Sequence, residues 1–162
     1  MASEIERKFL VRDASWQDAI ERSEAIQQGY LAQTDRATIR VRVMGERGLI
    51  TVKGVTNGIT RDEYEYPIPV EEARAMLETL SVSSVIEKIR YQVRVGTHRW
   101  EIDVFAGENS GLILAEIELE REDAPFERPS WLGEEVSYDP RYFNANLARR
   151  PFRLWPVASR SS

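Results

Sequence analysis

The sequence predicts a mainly β chain (α+β): an eight-stranded antiparallel β-barrel carrying a few outer helices. Three observations predict it. Strand-like segments follow one another through most of the 162 residues, joined by short connections that favour antiparallel pairing. Seven of these segments alternate charged residues with aliphatic or aromatic ones, so each strand would show charge on one face and apolar groups on the other. Eight strands are also about the number that close into a barrel with room for a small ligand.

Taken in order, residues 2–11 read as the first strand, with Glu4, Glu6 and Lys8 on one face and Ile5, Arg7 and Phe9 on the other. Asp13 or Ser15 is placed to cap a short helical turn through Trp16, Ala19 and Ile20. Strands follow at 25–33 and 37–45, and Gly45 to Gly48 form a turn into a strand at 49–55. Asn57-Gly58 is a strong turn signal ahead of a strand at 60–68. Residues 70–80 show helical spacing, with Ala73, Met76, Leu77 and Leu80 on one side. Strands at 84–95, 98–105 and 112–121 complete the eight, and 125–133 reads as irregular. A helix is expected over 140–149, with Pro140 near its start. The tail carries Phe152 and Trp155, which pack or hang free. No linker divides the chain, so residues 1–162 read as one domain with its core over about 3–148 and a tail at 149–162.

Composition narrows the chemistry. Apolar residues make up 42% and charged residues 30%, with a net charge of −5. That balance belongs to a folded chain and argues against general affinity for nucleic acid, which needs a basic surface. Cysteine is absent and His98 is the single histidine, which excludes disulfides and thiolate chemistry and leaves any metal to carboxylates, as a hard cation such as Mg²⁺ or Mn²⁺. No apolar run approaches the ~20 residues of a membrane span, and the N-terminus begins with charges rather than a signal-peptide core. The expectation is a cytoplasmic protein with no membrane partner.

The charged faces are sorted by sign. Arg40 and Arg42, Lys53, and Lys88 with Arg90 stand on separate strands from Glu63 with Glu65, Glu101 with Asp103, and Glu116 with Glu118 and Glu120. An open sheet with its charged face in water would bear this pattern at no cost. A closed barrel would turn Lys8, Arg40, Arg42, Lys53, Lys88 and Arg90 into a cationic lining. Like charges that are partly desolvated call for an anionic guest, and Arg and Lys both suit phosphate. The carboxylates would repel that guest unless divalent cations bridge them to it. An anion of about three linked phosphates with one or two Mg²⁺ or Mn²⁺ fits both sets.

The ordered motifs Glu4-x-Glu6-x-Lys8, Arg40-x-Arg42, Thr51-x-Lys53, Glu63-Tyr64-Glu65, Glu87-Lys88-x-Arg90, Glu101-x-Asp103 and Glu116-x-Glu118, continued by Gly133-Glu134-Glu135-Val136 and Asp139-x-Arg141-Tyr142-x-Asn144, resemble the triphosphate tunnel metalloenzymes of the CYTH superfamily. The chain is most similar to the short bacterial inorganic tripolyphosphatases. The resemblance implies a charged triphosphate tunnel and metal-dependent hydrolysis of tripolyphosphate to pyrophosphate and phosphate. Adenylate cyclase or thiamine triphosphatase activity at the same site is the alternative, and a non-enzymatic polyphosphate- or nucleotide-binding module is a third reading. A homodimer is compatible with the sequence.

Within that resemblance Lys8, Arg40, Arg42, Lys53 and Arg90 grip phosphates. Glu116 and Glu118 hold one metal. Glu4 and Glu6, with Asp103, hold a second that activates water. Lys88 either neutralises charge near the scissile phosphate or is an ordinary ion-pair partner. Arg141 either closes the tunnel mouth over substrate or is an exposed helix arginine. Tyr30 reaches the tunnel or packs in the core, and Glu63, Glu65 and Glu101 complete the lining. Glu120 extends the acidic strand beyond the usual pair.

Overall fold

A computed structural model describes residues 3–156; the expected tail residues 157–162 lie outside the described residues. Nine strands and two α-helices follow in the order β1 (Ser3–Val11), β2 (Ile20–Gln33), β3 (Ala37–Met44), β4 (Arg47–Gly54), β5 (Thr60–Ile68), α1 (Val70–Leu80), β6 (Ile86–Val95), β7 (His98–Phe105), β8 (Ile113–Glu118), β9 (Leu132–Glu135) and α2 (Asn144–Arg149). Every pairing is antiparallel, and the order β5-β4-β3-β2-β6-β7-β8-β1 closes on itself through β1 and β5. This is the eight-stranded barrel expected from the alternation.

Closure rests on three residue pairs, Ser3–Asp62, Glu4–Arg61 and Ile5–Thr60. Beyond them β1 leaves β5 behind, and β9 takes its free edge at Phe9 and Val11. The sequence reading missed β9 because four residues around a glycine carry little strand signal. β2 begins at Ile20 rather than residue 25 because Ile20 to Gln28 pair with β6, from Ile20–Val93 to Gln28–Ile86, a distant partner that Glu21-Arg22-Ser23-Glu24 does not advertise locally.

Registers settle which face points inward, since directly opposed residues project to the same side. Lys8 faces Glu116, Arg40 faces Thr51, Lys53 faces Glu63, Arg90 faces Asp103 and Glu101 faces Glu116. The charged faces therefore line the lumen.

The outer faces are covered in sectors. α1 lies over β3 and β4, where Ala73 and Leu77 meet Val41 and Val43. Gly48 allows that approach, because a Cβ there would stand 2.9 Å from both the Ala73 methyl and the Ile68 carbonyl. A second cluster joins Phe9, Trp100, Ile102 and Ile117 to Trp16, Phe126 and Trp131 from the connecting loops. Trp100 meets Trp131 edge-on at 5.4 Å and Phe9 at 5.6 Å, geometry that adds to simple burial.

The C-terminal segment does something else. Leu147, Tyr142, Phe152 and Trp155 pack on Leu10, Ile86, Phe105 and Leu114, which are lumen-facing residues by register. The segment thus plugs one end of the barrel. The helix expected over 140–149 breaks at Phe143, whose φ and ψ of −71° and 133° are extended, so a 3₁₀ turn at Pro140–Tyr142 capped by Asp139 precedes α2. Among the described residues no helix is long and apolar enough to cross a membrane.

Candidate functional site

A cavity of about 780 Å³ occupies the lumen. Its lining includes the expected cations Lys8, Arg40, Arg42, Lys53, Lys88 and Arg90 and the expected acids Glu4, Glu6, Glu63, Glu65, Glu101, Glu116 and Glu118. Eight strands thus bring together residues spread over more than a hundred positions.

Each cation already has an anionic partner. Arg42 and Arg40 share the Glu65 carboxylate at 3.3 and 3.7 Å, and Thr51 donates to the same oxygen at 2.8 Å. Lys53 lies 3.1 Å from Glu4 and 3.5 Å from Glu63. Lys8 lies 3.6 Å from Glu116. Burial, followed by repulsion from Arg40 and Arg90, lowers Arg42 to about 10, so it stays charged at neutral pH.

The carboxyls of the acidic wall shift one another's pKa in opposite directions. Burial pushes Glu6 well above the usual carboxylate range, and the charges of Glu116 and Glu4 push it further. Glu63 is pushed up to about 7 by a proton shared with Glu4 and then by burial. Burial would raise Glu4 too, but hydrogen bonds from Glu63 and Glu6 and the charge of Lys53 hold it low. Glu116 is likewise opposed by burial and brought down to about 2 mainly by Lys8. Carboxylates that retain protons between them mark where positive charge is wanted, and an all-oxygen donor set suits a hard divalent cation. Among the described residues no three acidic groups are already gathered as a cation site. A cation there would take part of its shell from a substrate, as Mg²⁺ commonly does with phosphates.

Three expectations change. Asp103, fully buried, does not face the cavity among its lining residues. Its carboxylate receives Lys88 Nζ at 2.7 Å and Arg90 in a bidentate pair at 2.8 and 2.9 Å, so it anchors two lumen cations instead of joining Glu4 and Glu6 around a metal. Arg141 stands away from the cavity: its guanidinium folds back on Asp139 at 2.7 Å and lies over the Tyr142 and Trp155 rings. Glu120 is exposed and lies past the end of β8, outside this cavity, because β8 stops pairing at Glu118. Tyr30 satisfies both of its readings, lining the cavity while packing in the plug cluster.

Four contributors were given no site role from the sequence, although Asn144 closes one of its motifs. Arg61 alternates with Glu63 and Glu65 on β5 and lines the cavity; the period of two contained that signal. Gln28, buried on β2 and opposed by Arg42, shares that period with Tyr30 but carries no charge, while Asn144 and Arg149, on α2, have no such signal, since the plug alone brings α2 to the lumen. Asn144 accepts a hydrogen bond from Lys88 Nζ at 2.9 Å and one from Gln28 at 3.0 Å. Burial lowers Lys88 to about 8, with Arg90 opposing and Asp103 supporting its charge.

A plugged barrel whose lumen sets paired arginines and lysines against a carboxylate wall defines a class of protein built around a compact polyanion. The CYTH domain model matches residues 2–152, and the chain belongs to the CYTH family. It is 46% identical over 153 residues to an inorganic triphosphatase of Acetivibrio thermocellus, covering 94% of this chain and 97% of that protein. It is 41% identical over 150 residues to an inorganic triphosphatase of Nitrosomonas europaea, with 90% and 97% covered. A crystal structure of an inorganic triphosphatase superposes with a TM-score of 0.66 at 40% identity, over 90% of this chain and 97% of that one.

Proposed function

We propose that this chain hydrolyses inorganic tripolyphosphate to pyrophosphate and orthophosphate with a divalent cation, Mg²⁺ or Mn²⁺. The observation that carries the reading is the partner pattern: Lys8, Arg40, Arg42 and Lys53, the lumen cations placed to grip phosphate, are each already paired with a lumen carboxylate. When phosphate oxygens claim Arg40, Arg42, Lys53 and Lys8, the carboxylates Glu65, Glu4, Glu63 and Glu116 lose their partners. Glu4 and Glu116 are buried, and a bare buried carboxylate is costly, so substrate entry is favoured when positive charge arrives with it.

Glu4, Glu6, Glu116 and Glu118 would hold that charge. A divalent cation bound there supplies neutralisation of the phosphate oxygens and a lowered pKa for an attacking water. Arg40, Arg42, Lys53, Lys8 and Arg90, joined by Arg61, hold the phosphate chain. Lys88, anchored by Asp103, stabilises charge that spreads over the transferred phosphoryl oxygens, where positioning and electrostatics account for most of the rate. Water attacks the terminal phosphorus, the bond to the bridging oxygen breaks, and pyrophosphate leaves.

Trp16, Trp100 and Trp131 pack in the outer cluster, so none of them offers a platform for the base or thiazolium of an organic triphosphate. Incubation with tripolyphosphate, ATP and thiamine triphosphate under Mg²⁺, Mn²⁺ or a chelator, followed by product identification, tests the reading. Pyrophosphate plus orthophosphate from tripolyphosphate, abolished by the chelator, is the expected result; cyclic AMP from ATP, or tight metal-dependent binding without phosphate release, would replace it with another.

Arg42→Ala is expected to raise KM for tripolyphosphate about tenfold or more, with a smaller change in kcat, since a charge-assisted phosphate contact is lost in ground and transition state alike. Steady-state phosphate release checks it, and an unaltered KM removes Arg42 from the clamp.

A further inference from the structure

The amide of Asn144 is oriented by its neighbours. An ammonium only donates hydrogen bonds, so the atom 2.9 Å from Lys88 Nζ has to be the Asn144 oxygen. The same oxygen accepts from Gln28 Nε2 at 3.0 Å. Gln28 is wholly buried, and donating in this direction leaves its own Oε1 without a partner. A buried orphan acceptor is unfavourable, and turning the Gln28 amide around would set two oxygens against each other. The side chain is thus committed to holding Asn144.

With its oxygen fixed, Asn144 turns its NH₂ away from Lys88 and Gln28. Asn144 lines the cavity, and among the described residues its Nδ2 has no hydrogen-bond partner. Lys88, meanwhile, lines the cavity, bonds Asp103 and Asn144 and lies 5.3 Å from the Phe105 ring centre, so one of its three N–H bonds is not taken by a hydrogen-bond acceptor of the protein. Two donors from separate elements, β6 and α2, stand side by side at the plugged end of the cavity.

We propose that Asn144 aims the Lys88 ammonium at one end phosphate of the bound chain and donates its own NH₂ to that same phosphate, so that seating of the C-terminal plug completes the site. The inference rests on the triphosphatase reading for its kinetic consequences and on geometry alone for its binding consequence.

Two variants separate the two contacts. Asn144→Ala removes both, and Asn144→Asp keeps an acceptor for Lys88 and Gln28 while replacing the lumen-facing donor with a negative oxygen. Asn144→Ala is expected to lower kcat about tenfold or more. Asn144→Asp is expected to recover most of that kcat while raising KM about tenfold, and to weaken tripolyphosphate binding by a similar factor in calorimetry. A merely structural role at the plug would lower the melting temperature of both variants and leave the kinetic constants of the folded fraction alone. The proposal is overturned if Asn144→Ala keeps kcat within about twofold of the parent, or if Asn144→Asp binds tripolyphosphate as tightly as the parent. Should Asn144→Ala fail to fold, the near-isosteric Asn144→Asp decides through KM and calorimetry. A parent protein that binds tripolyphosphate without cleaving it would end the triphosphatase reading, while the calorimetric comparison would still decide on Asn144.

Discussion

Asp103→Ala is expected to lower stability by about 3–5 kcal/mol and to abolish most turnover, because it strands two buried cations. Asp103, Lys88 and Arg90 are linked at 2.7 to 2.9 Å, and Asp103 and Lys88 are almost fully shielded from water. Removing the shared anion leaves Lys88 without an anionic partner and Arg90 with only Glu101 at 3.4 Å, and both lose the anchor that aims them into the lumen. The loss has a defined pH dependence. Burial alone would raise the Asp103 carboxyl, but Arg90 and Lys88 hold it far below the usual range. Its folded pKa is therefore depressed, so its stabilising contribution is full above the ordinary aspartate pKa near 4 and fades as pH falls below that value. Urea unfolding of the parent and Asp103→Ala between neutral pH and about pH 3 should show the gap between them narrowing in acid. A gap of less than about 1 kcal/mol at neutral pH would remove Asp103 from the role of anchor.

Glu6→Gln should have the opposite signature: a loss of turnover of about 10²–10³ without a loss of stability. In the metal-free protein Glu6 is pushed upward by burial and by Glu116 and Glu4. A carboxyl with a raised folded pKa destabilises the fold as pH climbs above its unfolded value near 4. Glutamine keeps the shape and a donor while removing that burden. The variant should match or exceed the parent's melting temperature at neutral pH in the presence of a chelator, and the advantage should shrink towards pH 4. Activity falls because a carboxylate that would hold a cation is gone. A variant that melts earlier than its parent, or that turns over tripolyphosphate normally with Mg²⁺, would remove Glu6 from the cation site.

The two variants divide residues that looked alike along the chain. Glu4-x-Glu6, Glu101-x-Asp103 and Glu116-x-Glu118 are the same motif in one dimension, a pair of acids on one strand face. Only the neighbouring strand separates them. Asp103 is opposed by Arg90 and lies within reach of Lys88, whereas Glu6 is opposed by Glu118. One acid is consumed by ion pairing and the other is left among its own kind.

Arg141 and Glu120 went astray for a related reason. Local pattern places Arg141 on a helix and Glu120 on a strand, but the helix begins later and the strand ends earlier than the pattern does. Phe143 breaks the helix, so Arg141 turns to Asp139, while β8 ends with its pairing to β1. Asn144 and Arg149 reach the lumen because apolar residues of the C-terminal segment fill one barrel end, a long-range packing event with no local periodicity.

By itself, the sequence determined the strand alternation, the sorting of charge by strand and hence a barrel with its charged faces turned together, because a period of two is a property of the extended backbone wherever it occurs. The tertiary structure alone decided which end is plugged, which carboxylates are bound to cations and which share protons, and which residue steadies Lys88. Those outcomes depend on cross-strand register and on packing between residues far apart in the chain, and neither is encoded in any short stretch of it.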